Sequence, residues 1–141
     1  MRILPYFTKT ACFLIILCFL GTGCTTTQGN TRSSQVFMMT PDQADNLILT
    51  VMSQRYTVGV SKLAFTDGRI GYQKISRMLM DSDEIALLAV PVDNILRDGK
   101  MGYKLQTVRS GTRVVSGQVE ASNLLKFAET TANAIISASS H

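Results

Sequence analysis

Glu84-Ile85-Ala86-Leu87-Leu88-Ala89-Val90-Pro91-Val92 is the stretch on which the fold turns. It is apolar at consecutive positions, and alternate residues of a strand point to opposite faces of its sheet. A strand apolar at every position suits the middle of a sheet rather than an edge. Pro91 near its end cannot donate to a ladder, so the strand is expected to close there.

Reading outward, turn residues bracket this strand. Asp81-Ser82-Asp83 before it and Arg97-Asp98-Gly99-Lys100 after it read as turns. Upstream, residues 69–80 read as a strand with Ile70, Tyr72, Met78 and Met80 at even spacing; Ile75 and Leu79 fall on the other face and suggest a bulge. Asp67-Gly68 is a tight-turn pair leading back to a short extended segment around Val58, Val60 and Leu63–Phe65. Downstream, Met101, Tyr103, Leu105 and Thr107 alternate with Lys104 and Gln106. Ser110-Gly111-Thr112 turns the chain, and 113–119, RVVSGQV, reads as a short last strand.

Helices flank this β region. Thr40-Pro41-Asp42-Gln43 combines an N-cap, proline at the first helical position and the glutamine of a capping box. Ala44, Leu47, Ile48, Val51 and Met52 then build an apolar stripe, which predicts a helix over about 41–55. Met39 before the cap is placed to staple against the next turn. Ser122 caps a second helix over 122–138, with Leu124, Leu125, Ala128, Ala132, Ile135 and Ile136 on one face. The expected fold is α+β: a two-layer sandwich of an N-terminal helix, a four-stranded antiparallel meander and a C-terminal helix.

The N-terminus has another character. Residues 1–10 carry Arg2 and Lys9 and no acid, and residues 11–20, ACFLIILCFL, are continuously apolar. The run is too short for a spanning helix, which needs about 20 apolar residues. A basic start, a short apolar run and the small residues Gly21-Thr22-Gly23 make a secretory signal peptide. With Cys24 next, the end of the run resembles the lipobox of bacterial lipoproteins, although Leu20 stands one position further from the cysteine than in the commonest form. The resemblance implies a diacylglycerol thioether on Cys24 and cleavage between Gly23 and Cys24. It also implies acylation of the new amino group, as with palmitate, in a Gram-negative cell. A thiolate is the one side chain here suited to becoming a stable thioether. Several acyl chains, at about 0.8 kcal/mol per buried CH₂, make such an anchor permanent. Thr25, where lipoproteins retained in the inner membrane tend to carry Asp, resembles the outer-membrane class.

The expected organisation is therefore a signal peptide over 1–23, a lipidated tether over 24–39 and an α+β domain over 40–138. Residues 25–36, TTTQGNTRSSQV, are small, polar and without periodicity, which reads as a flexible tether. About 15 residues of such chain span roughly 20–23 Å. Phe37, Met38 and Met39 add a short apolar patch before the helix.

The chain has 14 basic and 10 acidic residues for a net charge of +4. With Arg2 and Lys9 removed, the remainder falls to +2. The cations are scattered, so no nucleic-acid surface is expected. Cys12 and Cys18 lie in the signal peptide, and Cys24 is then the one cysteine left, which rules out an intramolecular disulfide.

Catalytic constellations are scarce. The one histidine is His141, the last residue. Asp81, Asp83 and Glu84 cluster at a turn without EF-hand spacing, and Asp93, Asp98 and Lys100 mark a hairpin loop. Ser110-Gly111-Thr112 is not a nucleophile elbow, and Gly68 and Gly71 precede no helix that could hold a phosphate. Met78 and Met80 read as core methionines rather than a soft-metal site. No catalytic residue, metal or cofactor is assigned. Tyr56, Tyr72 and Tyr103, with an apolar ring and a polar tip, suit half-buried strand positions or an interface, and Tyr72 and Tyr103 are the candidate interface residues.

Gly71-Tyr72, Ala89-Val90-Pro91-Val92 and Gly102-Tyr103 leading to Val108-Arg109-Ser110-Gly111-Thr112 resemble small proteobacterial lipoproteins of unassigned function. That resemblance implies an envelope protein and supplies no activity. The expectation is an anchored, non-enzymatic interaction or assembly module with an envelope protein partner. The alternatives are a periplasmic module binding a lipid, a peptidoglycan fragment or a small molecule in an apolar cleft beneath the C-terminal helix, and an enzyme built on the paired acids.

Overall fold

The computed structural model describes residues 30–77, 79, 82–92, 97–112 and 114–141. Seven elements follow in order: β1 (Asn30–Met39), α1 (Pro41–Arg55), β2 (Val60–Leu63), β3 (Ile70–Arg77), β4 (Ser82–Pro91), β5 (Met101–Gly111) and α2 (Val114–Ser139). The strands form one open sheet in the order β1-β5-β4-β3-β2, antiparallel throughout. The architecture is α+β with five strands where the sequence suggests four. The apolar stretch Ile85–Ala89 does occupy the central strand, and all five of its residues are buried.

The additional strand is β1. Its polar first half has no apolar alternation, so it reads as tether. It forms because β5 offers a free row of main-chain donors and acceptors, and an edge strand needs little more than backbone to pair. Ser33 faces Gln106 and Val36 faces Lys104, so β1 carries one extra residue and bulges between them. Ser34 Oγ accepts from the Leu105 N–H at 2.9 Å, serving the donor that the bulge strips of its ladder partner. Residues 30–39, expected as the end of the tether, are thus a strand of the sheet.

A second correction concerns 113–119. Residues 114–119 are helix rather than strand: α2 begins at Val114 and runs 26 residues, eight positions ahead of the expected start at Ser122. The valines favour a strand and the glycine disfavours a helix locally, and packing against the sheet overrides them. Gly117 lies flat on the Arg109 guanidinium, where a Cβ would overlap it. A third correction is Asp81-Ser82-Asp83: Ser82 and Asp83 belong to β4 and pair with Arg77 and Ser76. Asp81, Met78 and Met80 lie outside the described residues.

Helix α1 follows its caps. The Gln43 N–H donates to Thr40 Oγ1 at 3.1 Å, and the Thr40 N–H donates to Gln43 Oε1 at 3.0 Å. This reciprocal pair satisfies two donors a helix start otherwise leaves free. The helix carries the chain from the β1 edge of the sheet to the β2 edge.

Both helices lie on the same face. Register places Phe37, Met39, Tyr72, Ile85, Leu87, Ala89, Tyr103 and Leu105 on that face. They form one core with Ala44, Leu47, Ile48, Val51 and Met52 of α1 and Ala121, Leu124, Leu125, Ala128 and Ala132 of α2. The other face of the sheet has no covering layer among the described residues.

Candidate functional site

Burying one face of the sheet leaves three features with chemical character: a polar end to the core, an ion pair at the far edge, and the open face itself.

The polar end lies where β4, β5 and α2 meet. Arg109 is 4% exposed, and its Nη2 stands 2.7 Å from Asp83 Oδ1. The approach is ionic without the geometry of a hydrogen bond. Neither atom, nor Arg109 Nε, nor the buried Thr107 Oγ1, has a hydrogen-bond partner among the described residues. One helical turn beyond Gly117, Glu120 Oε1 accepts from the Tyr56 hydroxyl at 2.6 Å. Burial, then that hydrogen bond and the Glu120 charge, push the Tyr56 hydroxyl well above its ordinary range. Tyr56 is therefore a fixed neutral donor that ties the end of α1 to α2.

At the β2 edge, Asp45 of α1 receives Lys62 Nζ at 2.9 Å and the Tyr72 hydroxyl at 3.2 Å. Lys62 also stands 5.7 Å above the Tyr72 ring. Burial and then the Asp45 charge raise the Tyr72 hydroxyl, and burial alone raises that of Tyr103. Both tyrosines were expected at an interface, yet their rings lie in the core at 7% and 1% exposure. They alternate onto the face the helices cover, so neither ring is offered to a partner.

The open face carries the uncovered apolar surface. Val36, Met38 and Ile75 are 46%, 42% and 37% exposed. Val36 and Met38 close over Gly102, whose missing side chain makes room for them. At the opposite corner Phe65 and Leu88 close over Gly71 in the same way. The Arg69 guanidinium stacks on Phe65 at 4.3 Å and is held at 2.7 Å by Asp67. Leu88 is thus 6% exposed on a face that neither α1 nor α2 covers.

Among the sequence-predicted residues, Gly23 and Cys24 lie outside the described residues, as do Asp81 and Asp93. Asp83 is taken up by Arg109, while Glu84 and Asp98 face solvent. Among the described residues no cluster of three metal-ligating side chains occurs, and no helix is long and apolar enough to cross a membrane. The apolar cleft that a ligand-binding module would need beneath α2 is filled by Leu105, Leu124, Ala128 and Ala132, each at 0% exposure. Sequence reasoning missed Arg109, Glu120 and the open face. Alternation in 101–109 could have placed Arg109 on the same face as Tyr103 and Leu105, and hence in the core. Compared with family models, curated proteins and solved structures, the chain matches none.

Proposed function

We propose that this chain is a lipid-anchored cell-envelope protein whose domain is a non-enzymatic interaction or assembly module. It is cleaved between Gly23 and Cys24, carried on the acylated Cys24, held at the outer membrane facing the periplasm and engaged there with an envelope protein. The sequence Leu20-Gly21-Thr22-Gly23-Cys24 supports the anchor. The observation that carries the interaction role is the open sheet face, where Val36 and Met38, side by side on β1, expose apolar surface. Antiparallel sheets tolerate one solvated face when it is polar, and an apolar patch on such a face is the mark of a surface that meets another molecule.

The test is photo-crosslinking in intact membranes. A crosslinking residue at position 38 is expected to yield a discrete protein adduct, and one at position 50, on the exposed side of α1, is expected to yield none. Val36→Lys is expected to abolish the adduct. Failure to capture any reproducible adduct from position 38 rejects the interaction role.

A further inference from the structure

The start of β1 at Asn30 limits how far the domain could stand from an anchor at Cys24. Five residues, 25–29, separate Cys24 from the first residue of β1. That length reaches at most about 20–22 Å when fully extended and about 12–15 Å as a flexible coil. The sheet is longer than this, since the eleven residues of β5 span about 35 Å. The anchor therefore holds one corner, where Asn30 pairs with Arg109, near the lipid. The opposite corner, with the Asp67-Gly68 turn, lies at the other end of the strands and at the other edge of the sheet.

Beside the tethered corner, β1 and α2 enclose a groove of about 340 Å³ lined by Arg32, Gln118, Val119, Ser122, Asn123 and Lys126. Two cations and several amide and hydroxyl groups line it, and no carboxylate does. Three other cations are paired, Lys62 with Asp45, Arg69 with Asp67 and Arg109 with Asp83. Among the described residues Arg32 and Lys126 are in no ion pair, and both are exposed. Basic residues close to an anionic bilayer strengthen its hold by about fivefold each.

We propose that this groove is the membrane-facing surface of the domain and takes the phosphate of an anionic lipid headgroup. The assignment rests on the lipoprotein reading, because that reading brings the corner to the bilayer. The short tether then limits the reach of the domain and the groove fixes its orientation, leaving the open sheet face clear of the lipid for a partner.

Residues 25–141 contain no cysteine, so one introduced cysteine is a unique labelling point once Cys24 is alkylated. The full lipidated protein is labelled with a fluorophore at Ser33→Cys, near the tethered corner, or at Thr66→Cys, at the distant turn. It is then reconstituted into vesicles of phosphatidylcholine, alone or mixed with phosphatidylglycerol, that carry a headgroup nitroxide quencher. On the mixed vesicles, quenching at position 33 is expected to exceed that at position 66 several-fold. The ratio is expected to fall toward one on pure phosphatidylcholine and in the doubly substituted Arg32→Glu/Lys126→Glu protein. Equal quenching of the two labels on mixed vesicles, or a ratio indifferent to the charge reversal, overturns the assignment. Mass spectrometry of the same preparation separates the two levels of the argument. Absence of a diacylglycerol mass on Cys24 overturns the lipoprotein reading itself, whereas lipidated protein with equal quenching overturns the orientation alone.

Discussion

The two faces of one sheet carry opposite assignments. On the covered face, Ile85, Leu87 and Ala89 of β4 sink into a core completed by both helices. On the open face, Ala86 and Leu88 of the same strand are hidden by side chains alone, Leu88 by its contact with Phe65 over Gly71. Burial thus has two origins in adjacent residues. One is the stacking of layers, which supplies neighbours on all sides. The other is local closure at a glycine, which leaves the far side wet.

Truncating neighbours on β4 tests that distinction most strongly. Leu87→Ala is expected to cost about 3–4 kcal/mol in denaturant unfolding, and Leu88→Ala about 2 kcal/mol, because its site can collapse or admit water. Equal losses would mean that the open face is as tightly packed as the core. Arg109→Ala is expected to cost about 3 kcal/mol, since it strands Asp83 beside the helices. Replacing the pair together, as Arg109→Met with Asp83→Leu, is expected to restore most of that stability in the same assay.

A smaller effect should appear at high pH. Tyr56, Tyr72 and Tyr103 are the three tyrosines of residues 25–141, and all are shifted upward. Above the ordinary tyrosine value of 10.0 the unfolded chain releases protons that the folded chain keeps. Stability is thus fully present below pH 10 and falls as pH climbs beyond it. Absorbance at the tyrosinate band is expected to stay flat through that region and rise only with unfolding. Tyr56→Phe is expected to cost about 1 kcal/mol at neutral pH, through loss of the Glu120 bond, and to lessen the alkaline loss. The smallest effect belongs to the open face. Val36→Lys is expected to change the stability of the isolated protein by less than about 0.5 kcal/mol in thermal unfolding.

The parts legible in the sequence are those in which local chemistry and tertiary role agree. Thr40, Pro41 and Gln43 specify the start of α1, and its capping box is present as read. Arg97-Asp98-Gly99-Lys100 specifies a two-residue turn, and Asp98 and Gly99 adopt the positive φ values, 55° and 74°, that such a turn requires. The misread parts are those in which a distant element decides. Thr31 to Gln35 become a strand only because β5 lies alongside. Val114 to Val119 become helix because that helix must pack on β5 and β1. Tyr72 and Tyr103 were read from residue type, and their burial follows from the side of the sheet that the helices cover. The sites follow the same division: Arg109, Asp83 and Glu120 come from three elements and meet only in the folded chain.

The placement of β1 also has a kinetic consequence. The bond from Leu105 to Ser34 joins residues 71 positions apart, and the pairs of the β1–β5 ladder lie from 62 (Met39 with Met101) to 79 (Asn30 with Arg109) positions apart. Non-local pairing of this kind is slow, because loop closure comes before any reward from contact. A chain made N-terminus first must hold β1 unpaired until β5 has been synthesised. The meander β2–β5 can form in that interval with one edge of β5 bare, a template for joining to another molecule. The covalent connection through α1 keeps the missing strand at a high local concentration beside its own sheet, favouring closure within the chain over pairing between chains.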